Sequence, residues 1–162
     1  MNKINIEWLT SILNKITTPF TTQRRIEGDY FKPLHNTERM ILGHVYEYVS
    51  LIEKYRNEIV FDTYIYGDPT CGIISQKNDW CIVCGSHTFI LWTPKETVRF
   101  EDVDFLSAYD LRQIDDNTVD ILIDPWSDKA AVWQFNIATK QAFKVRDFDD
   151  YKDREYTDNV EW

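Results

Sequence analysis

The segment Trp80–Trp92, which reads WCIVCGSHTFILW, gives the first indication of the fold. Two runs of apolar, β-branched and aromatic residues flank Gly85-Ser86, and such runs around a short turn are typical of a β-hairpin. Leu111–Ile114 and Thr118–Asp124 repeat the pattern around the turn residues 115–117. The sequence therefore predicts antiparallel strands that are joined by tight turns.

The pattern extends through residues 59–162, where apolar side chains alternate with polar ones over roughly seven short segments. The first part of the chain has a different period. Apolar residues recur at helical spacing over Ile6–Ile16, and Asn36 or Thr37 could cap a second helix that continues to Ile52. The β-branched and aromatic content around Val45–Leu51 leaves a strand as the alternative there.

These patterns predict an α+β fold, in which N-terminal helices pack on a mostly antiparallel β-meander that forms a bent sheet or a partial barrel. The chain of 162 residues has the usual length of one domain, and it contains no Gly/Ser-rich linker. We therefore predict a single domain over residues 1–162, with a mainly helical part at 1–58 and an antiparallel β part at 59–162.

Charge limits the possible partners. The formal net charge is −9, and residues 61–162 carry 20 acidic and 10 basic residues. Such a field repels nucleic acid and membrane surfaces and attracts basic proteins, although an acidic surface can also serve solubility alone. Three cysteines and the absence of a secretory pattern in Met1–Ile16 predict a cytoplasmic protein.

Four residues could in principle bind zinc, namely Cys71, Cys81, Cys84 and His87. Cys81 and Cys84 lie within a predicted strand, where residues three positions apart point to opposite faces, so their thiols should diverge. We therefore predict neither a metal site nor a cofactor. Zinc binding by this cluster is kept as the alternative.

The C-terminal part combines carboxylates with aromatic rings. An EF-hand calcium site is not predicted there, because Lys152 stands where that loop needs glycine. Aromatic anchors surrounded by charge resemble a surface for a basic partner, whereas the alternative is a solvated terminal segment whose rings pack back on the sheet. The candidate partner-binding residues are Trp126, Asp147, Asp149, Asp150, Tyr151, Asp153 and Tyr156.

Four segments together resemble the small acidic immunity proteins of bacterial polymorphic-toxin systems: Gly67–Gly72, Trp80–Val83, Asp124–Asp128 and Trp133–Asn136. These segments are turns and strands and contain no catalytic motif. The resemblance implies a cytoplasmic protein that occludes a cognate toxin domain, often a basic nuclease.

No nucleophile elbow, phosphate-binding glycine loop or metalloprotease motif occurs in the sequence, and no catalytic residue is predicted. The first hypothesis is therefore a non-catalytic inhibitor of the immunity type, which neutralises a basic toxin by occlusion. The alternatives are a small metal-dependent enzyme or regulator that uses the cysteine cluster, and a structural or phage-encoded adaptor or inhibitor module.

Overall fold

The computed structural model describes residues 30–162, which form strands and no helix. The twelve strands of this part are β1 (Lys32–Asn36), β2 (Met40–Val45), β3 (Tyr48–Glu53), β4 (Glu58–Tyr64), β5 (Cys71–Ile74), β6 (Cys81–Gly85), β7 (Thr88–Trp92), β8 (Thr97–Phe100), β9 (Ala108–Asp115), β10 (Thr118–Ile123), β11 (Ala131–Asn136) and β12 (Gln141–Asp147).

The strands form three separate sheets, each of four consecutive strands in the order β1-β2-β3-β4, β5-β6-β7-β8 and β9-β10-β11-β12. All neighbouring strands are antiparallel. Three successive four-stranded meanders that pack face to face have the architecture of β-propeller blades. We refer to the sheets as blade 1, blade 2 and blade 3 in chain order.

The prediction of an α+β fold with N-terminal helices is wrong for the described residues. The helix predicted from Asn36 or Thr37 to Ile52 is instead the hairpin of β2 and β3, as in the alternative considered for Val45–Leu51. Leu42 and Leu51 face each other in this hairpin, and both are fully buried. Because this hairpin is largely buried, its apolar residues do not alternate, and the sequence imitates a helical period.

The helix predicted at Ile6–Ile16 lies outside the described residues. The predicted bent sheet or partial barrel is also wrong, since the strands divide into three sheets. The two predicted hairpins around Gly85-Ser86 and residues 115–117 are confirmed as β6–β7 and β9–β10. The prediction of one domain over residues 1–162 stays a prediction.

Blade 2 lies between the other two blades and is apolar on both faces. Ile82 and Phe89 belong to the core that blade 2 shares with blade 3, where Phe135 is also fully buried. Val83 and Ile90 belong to the core shared with blade 1. Adjacent residues of one strand thus serve different cores, which explains why β6 is buried at every position.

The first strands of the three blades lie side by side and run in the same direction. Thr70 Oγ1 donates to the Ala108 carbonyl at 2.9 Å, and the Gln76 amide donates to Gln113 Oε1 at 2.9 Å, so positions along β5 and β9 advance together. The Ile74 amide donates to His35 Nδ1 at 3.3 Å, which joins blade 2 to blade 1. Strands at equivalent positions in the three blades therefore run in the same direction.

Residues 148–162 cover part of the outer face of blade 3. Phe148 is fully buried in a small core with Leu122 and Val132, and Val160 and Trp162 pack against this core. The Phe148 amide continues the strand pairing by donating to the Ala130 carbonyl at 3.0 Å. Segment 148–162 thus covers the outer face of blade 3, whereas blade 2 covers its inner face.

Replacing Phe135 by Ala should lower the free energy of unfolding by about 3–5 kcal/mol, because it removes a ring at the centre of the core between blades 2 and 3. The matched control is Phe143→Ala on the neighbouring strand β12, where the ring is 58% exposed. This control should change stability by less than about 1 kcal/mol. Urea unfolding followed by tryptophan fluorescence compares the two variants, and equal losses would contradict the assigned core.

Candidate functional site

The common direction of the blades places equivalent connections at the same end of the molecule. This end carries the β2–β3 turn, the β6–β7 turn, the β10–β11 loop and the links between blades. The Ser107 hydroxyl donates to the Ser86 carbonyl at 3.0 Å, and the Asp124 amide donates to the Ser107 carbonyl at 3.2 Å. These bonds join a turn, an interblade link and a loop that lie far apart in the sequence.

We call this end, together with the adjoining segment 148–162, the acidic end. Within the described residues its connections and segment 148–162 together hold thirteen carboxylates against three basic residues, Lys129, Lys152 and Arg154. The carboxylates are Glu47, Asp68, Glu101, Asp102, Asp104, Asp124, Asp128, Asp149, Asp150, Asp153, Glu155, Asp158 and Glu161.

The opposite end has a different charge balance. Within the described residues its turns carry six basic residues and four carboxylates, which are Arg39, Lys54, Arg56, Lys77, Lys95 and Lys140 against Glu38, Asp79, Glu96 and Asp116. Several of these pair with each other across blades, as Lys140 does with Glu96 at 2.6 Å. Among the turns, links and terminal segment of residues 30–162, carboxylates therefore exceed basic residues at the acidic end and not at the opposite end.

The structure brings together three residues that the sequence analysis selected. Trp126 contacts Tyr156 with ring centroids 4.8 Å apart and contacts Tyr151 at 5.8 Å. Tyr109, which was not selected, completes the cluster at 5.6 Å from Trp126. The Trp126 Nε1 is buried without a hydrogen-bond partner in the described part of the chain. Tyr156 is 70% exposed, so the cluster presents an aromatic face to solvent.

The selected carboxylates lie near Tyr151 and Tyr156 in the sequence. Asp149, Asp150 and Asp153 are exposed in the turns that follow β12. Asp147 ends β12 and pairs with Lys144. Lys152 lies among them and pairs with Asp128 at 3.1 Å, so the basic residue of this turn is bound within the chain.

Part of the segment 148–162 serves the fold. Trp162 Nε1 donates to Asp110 Oδ2 at 3.0 Å, and the Arg112 guanidinium lies 4.2 Å from the centre of the Trp162 ring. The guanidinium of Arg154 lies over Tyr151 at 5.6 Å. The packing of Phe148 and Trp162 agrees with the alternative that some of the terminal rings pack back on the sheet.

Sequence reasoning missed a second aromatic surface, on blade 1. Five tyrosines at the acidic end of this blade have exposed fractions of 46% to 77%, and they are Tyr30, Tyr46, Tyr48, Tyr64 and Tyr66. We call them the tyrosine surface. The pairs at 46/48 and 64/66 flank turns with the spacing of one face of a strand, which is the signal that could have revealed them.

Two ring contacts and one register pair organise this surface. Tyr30 stacks on Tyr46 with ring centroids 6.1 Å apart. Tyr48 faces Tyr64 across β3 and β4, and their rings meet edge to face at 5.3 Å. Such contacts hold the rings in place without removing them from solvent.

Glu47 lies at the β2–β3 turn beside these rings. Its Oε2 accepts a hydrogen bond from the Tyr64 hydroxyl at 2.6 Å, and its Oε1 accepts one from the Gly67 amide at 2.9 Å. These two bonds, chiefly that from Tyr64, lower the pKa of Glu47 below its ordinary value. The carboxylate is therefore ionised and held in a fixed orientation.

Of the four candidate zinc ligands, the structure places Cys71 beside Cys84 but puts Cys81 in a different core. Cys81 is buried in the core between blades 1 and 2, whereas Cys84 is buried in the core between blades 2 and 3. Cys71 lies opposite Cys84 in the register of β5 and β6, and His87 is in the following turn. Burial raises the pKa of the thiols of Cys81 and Cys84, which keeps both protonated.

Among residues 30–162 no group of three or more His, Cys, Asp or Glu side chains is arranged to hold a metal ion. A groove of about 770 Å³ opens at the acidic end between blades 2 and 3, where His87, Asp104, Asp128 and Trp133 line it.

Within residues 30–162, no helix has the length and apolar character needed to cross a membrane.

Replacing Tyr64 by Phe should raise the pKa of Glu47 toward its ordinary value, because it removes the hydrogen bond that lowers this pKa most. Since the folded pKa is lowered, ionised Glu47 stabilises the fold above its unfolded pKa, and this contribution is lost as the pH falls through the folded pKa. Carboxyl carbon NMR shifts against pH measure the change. Tyr48→Phe is the control and should leave this titration unchanged.

No protein-family model matches the chain, and neither does any curated protein. Among solved structures, it is similar to the WD40 β-propeller domain of Doa1 (TM-score 0.49, 9% identity), with 66% of this chain and 36% of that chain covered. It is also similar to hydrazine synthase of Kuenenia stuttgartiensis (TM-score 0.49, 14% identity), with 67% of this chain and 34% of that chain covered. A third similar structure is the N-terminal domain of Nup159 (TM-score 0.47, 13% identity), with 70% of this chain and 32% of that chain covered. The chain spans about a third of the length of each of these structures.

Proposed function

We propose that this chain is a non-catalytic protein-binding domain that docks a basic protein on its acidic end. The observation that carries the proposal is the excess of negative charge there, with thirteen carboxylates and three basic residues in the connections of that end and segment 148–162. A field of one sign over one surface accelerates the approach of an oppositely charged protein. The same field disfavours nucleic acid and anionic membranes as partners.

The aromatic residues of this end supply the contacts that charge alone does not. Exposed carboxylates set the rate and orientation of approach, whereas buried aromatic anchors dominate the affinity of most protein interfaces. Tyr156 and the tyrosine surface lie exposed among the carboxylates. This combination favours a specific docking surface over a coat that serves solubility alone.

In its more specific form the proposal is an inhibitor of the immunity type, in which the basic partner is a toxin that the domain covers. A rigid end of three aligned blades suits this role, because occlusion requires a preformed surface and no chemistry. The acidic end supports a basic partner of this kind. The product of the neighbouring gene is the first partner to test.

Reversing three exposed charges at the acidic end should slow association with a basic partner by about tenfold or more at low salt. The variant is Asp149→Lys, Asp150→Lys and Glu155→Lys together. Asp153 is left unchanged because its φ of +59° suits Asp better than Lys. Association rates with the neighbouring gene product, measured at about 50 and 300 mM NaCl, should converge as salt screens the field.

The matched control reverses three carboxylates of the opposite end, Glu38, Glu96 and Asp116, and so changes the net charge equally. Their bonds to Tyr55, Lys140 and Lys77 are exposed to solvent, so their loss should change stability little. This variant should slow association by less than about threefold. Equal slowing by both variants would refute docking at the acidic end, and self-association of the domain without partner binding would favour an adaptor.

A further inference from the structure

We propose that the tyrosine surface and Glu47 form a receptor for an arginine side chain of the basic partner. The inference rests on the proposed function and adds to it the position and chemistry of the principal contact. The occupant is an exposed arginine of a basic polypeptide. Its guanidinium lies on the tyrosine rings and donates hydrogen bonds to the Glu47 carboxylate.

The first argument is the state of the carboxylate. Each oxygen of Glu47 accepts one hydrogen bond, from Tyr64 or from the Gly67 amide, and so keeps capacity for another. A guanidinium donates two parallel N–H groups with the spacing of the two carboxylate oxygens. Because both oxygens are already oriented, less conformational entropy is lost when the guanidinium binds.

The second argument is the surrounding of the carboxylate. Tyr48 and Tyr66 are 61% and 77% exposed, and both are near enough to the Tyr64 hydroxyl to influence its ionisation. Guanidinium groups stack on aromatic faces and are weakly hydrated, whereas the ammonium of lysine is compact and strongly hydrated. A carboxylate with exposed tyrosine rings nearby therefore prefers arginine to lysine.

The third argument is the backbone of the turn. Tyr46 has a φ of +51°, in the left-handed region that glycine and asparagine normally occupy. The buried His44 ring donates from Nδ1 to the Tyr46 carbonyl at 2.7 Å and holds the turn in this conformation. A bulky exposed residue at such a position is costly, and strained residues of this kind cluster at functional sites.

Among residues 30–162, an arginine that reaches this surface from blade 2 is bound to other groups. Arg99 of β8 donates from Nη2 to the Tyr64 carbonyl at 2.7 Å and to the Thr63 hydroxyl at 3.1 Å. It also lies 3.9 Å from a carboxylate oxygen of Glu101. Arg99 thus ties β4 to blade 2, and Glu47 stays without a cationic partner among the described residues.

The test measures binding of fluorescein-labelled hexa-arginine and hexa-lysine peptides to the whole chain by fluorescence anisotropy at low ionic strength. The wild type should bind hexa-arginine about threefold or more tightly than hexa-lysine. Glu47→Gln should weaken hexa-arginine binding by about fivefold to tenfold and remove most of this preference. Tyr48→Ala should act in the same direction, whereas Tyr48→Phe should retain wild-type affinity because it keeps the ring.

A matched pair at the opposite end provides the control. Tyr55 is 71% exposed and donates to Glu38 at 3.1 Å, so it repeats a tyrosine–glutamate pair without the surrounding rings. Glu38→Gln and Tyr55→Ala should leave both peptide affinities unchanged. Thermal unfolding of each variant verifies that the fold is intact.

The outcomes separate this inference from the proposed function. Equal wild-type affinity for the two peptides, or an unchanged affinity in Glu47→Gln, overturns the arginine receptor. If the triple reversal of Asp149, Asp150 and Glu155 still weakens both peptides, docking of basic chains at the acidic end stands without it. If neither peptide binds the wild type, both proposals fail.

Discussion

The packing of blade 2 on both of its faces is the constraint on which the rest of the structure depends. Its strands supply Ile82 and Phe89 to one core and Val83 and Ile90 to the other, so neither neighbour can shift without opening an apolar surface. Loss of such a core costs several kcal/mol, which is a large fraction of the stability of a domain. This packing holds the three blades with their first strands parallel.

The parallel alignment has an electrostatic consequence that no single blade contains. Each meander alternates in direction, so equivalent turns of the three blades meet at the same end, and their charges add instead of cancelling. The carboxylates of the interblade links and of segment 148–162 thereby form one field, while Lys77, Lys95 and Lys140 lie at the other end. The polarity of the surface thus follows from the topology of the fold together with the positions of the acidic residues.

The β6–β7 and β9–β10 hairpins could be predicted from the sequence, because turn residues separate two short runs of strand-forming residues in each. The hairpin at Met40–Glu53 could not, because burial of its residues removes the alternation that identifies a strand. Trp126, Tyr151 and Tyr156 could be selected from the sequence because rings and carboxylates occur together in the C-terminal part. The tyrosine surface escaped notice because its members come from three separate segments, and their proximity depends on strand register.

The two kinds of residue at the acidic end act over different ranges. Carboxylates of the 148–162 segment are exposed to salt, and their effect extends for about one Debye length, roughly 8 Å at physiological ionic strength. The rings and the oriented carboxylate of Glu47 act at contact distance, where desolvation strengthens their attraction to a cation. A partner attracted by the first group would still dissociate quickly without the second. In the proposed function, selectivity among basic proteins comes from the surface of blade 1, where geometry as well as charge is fixed.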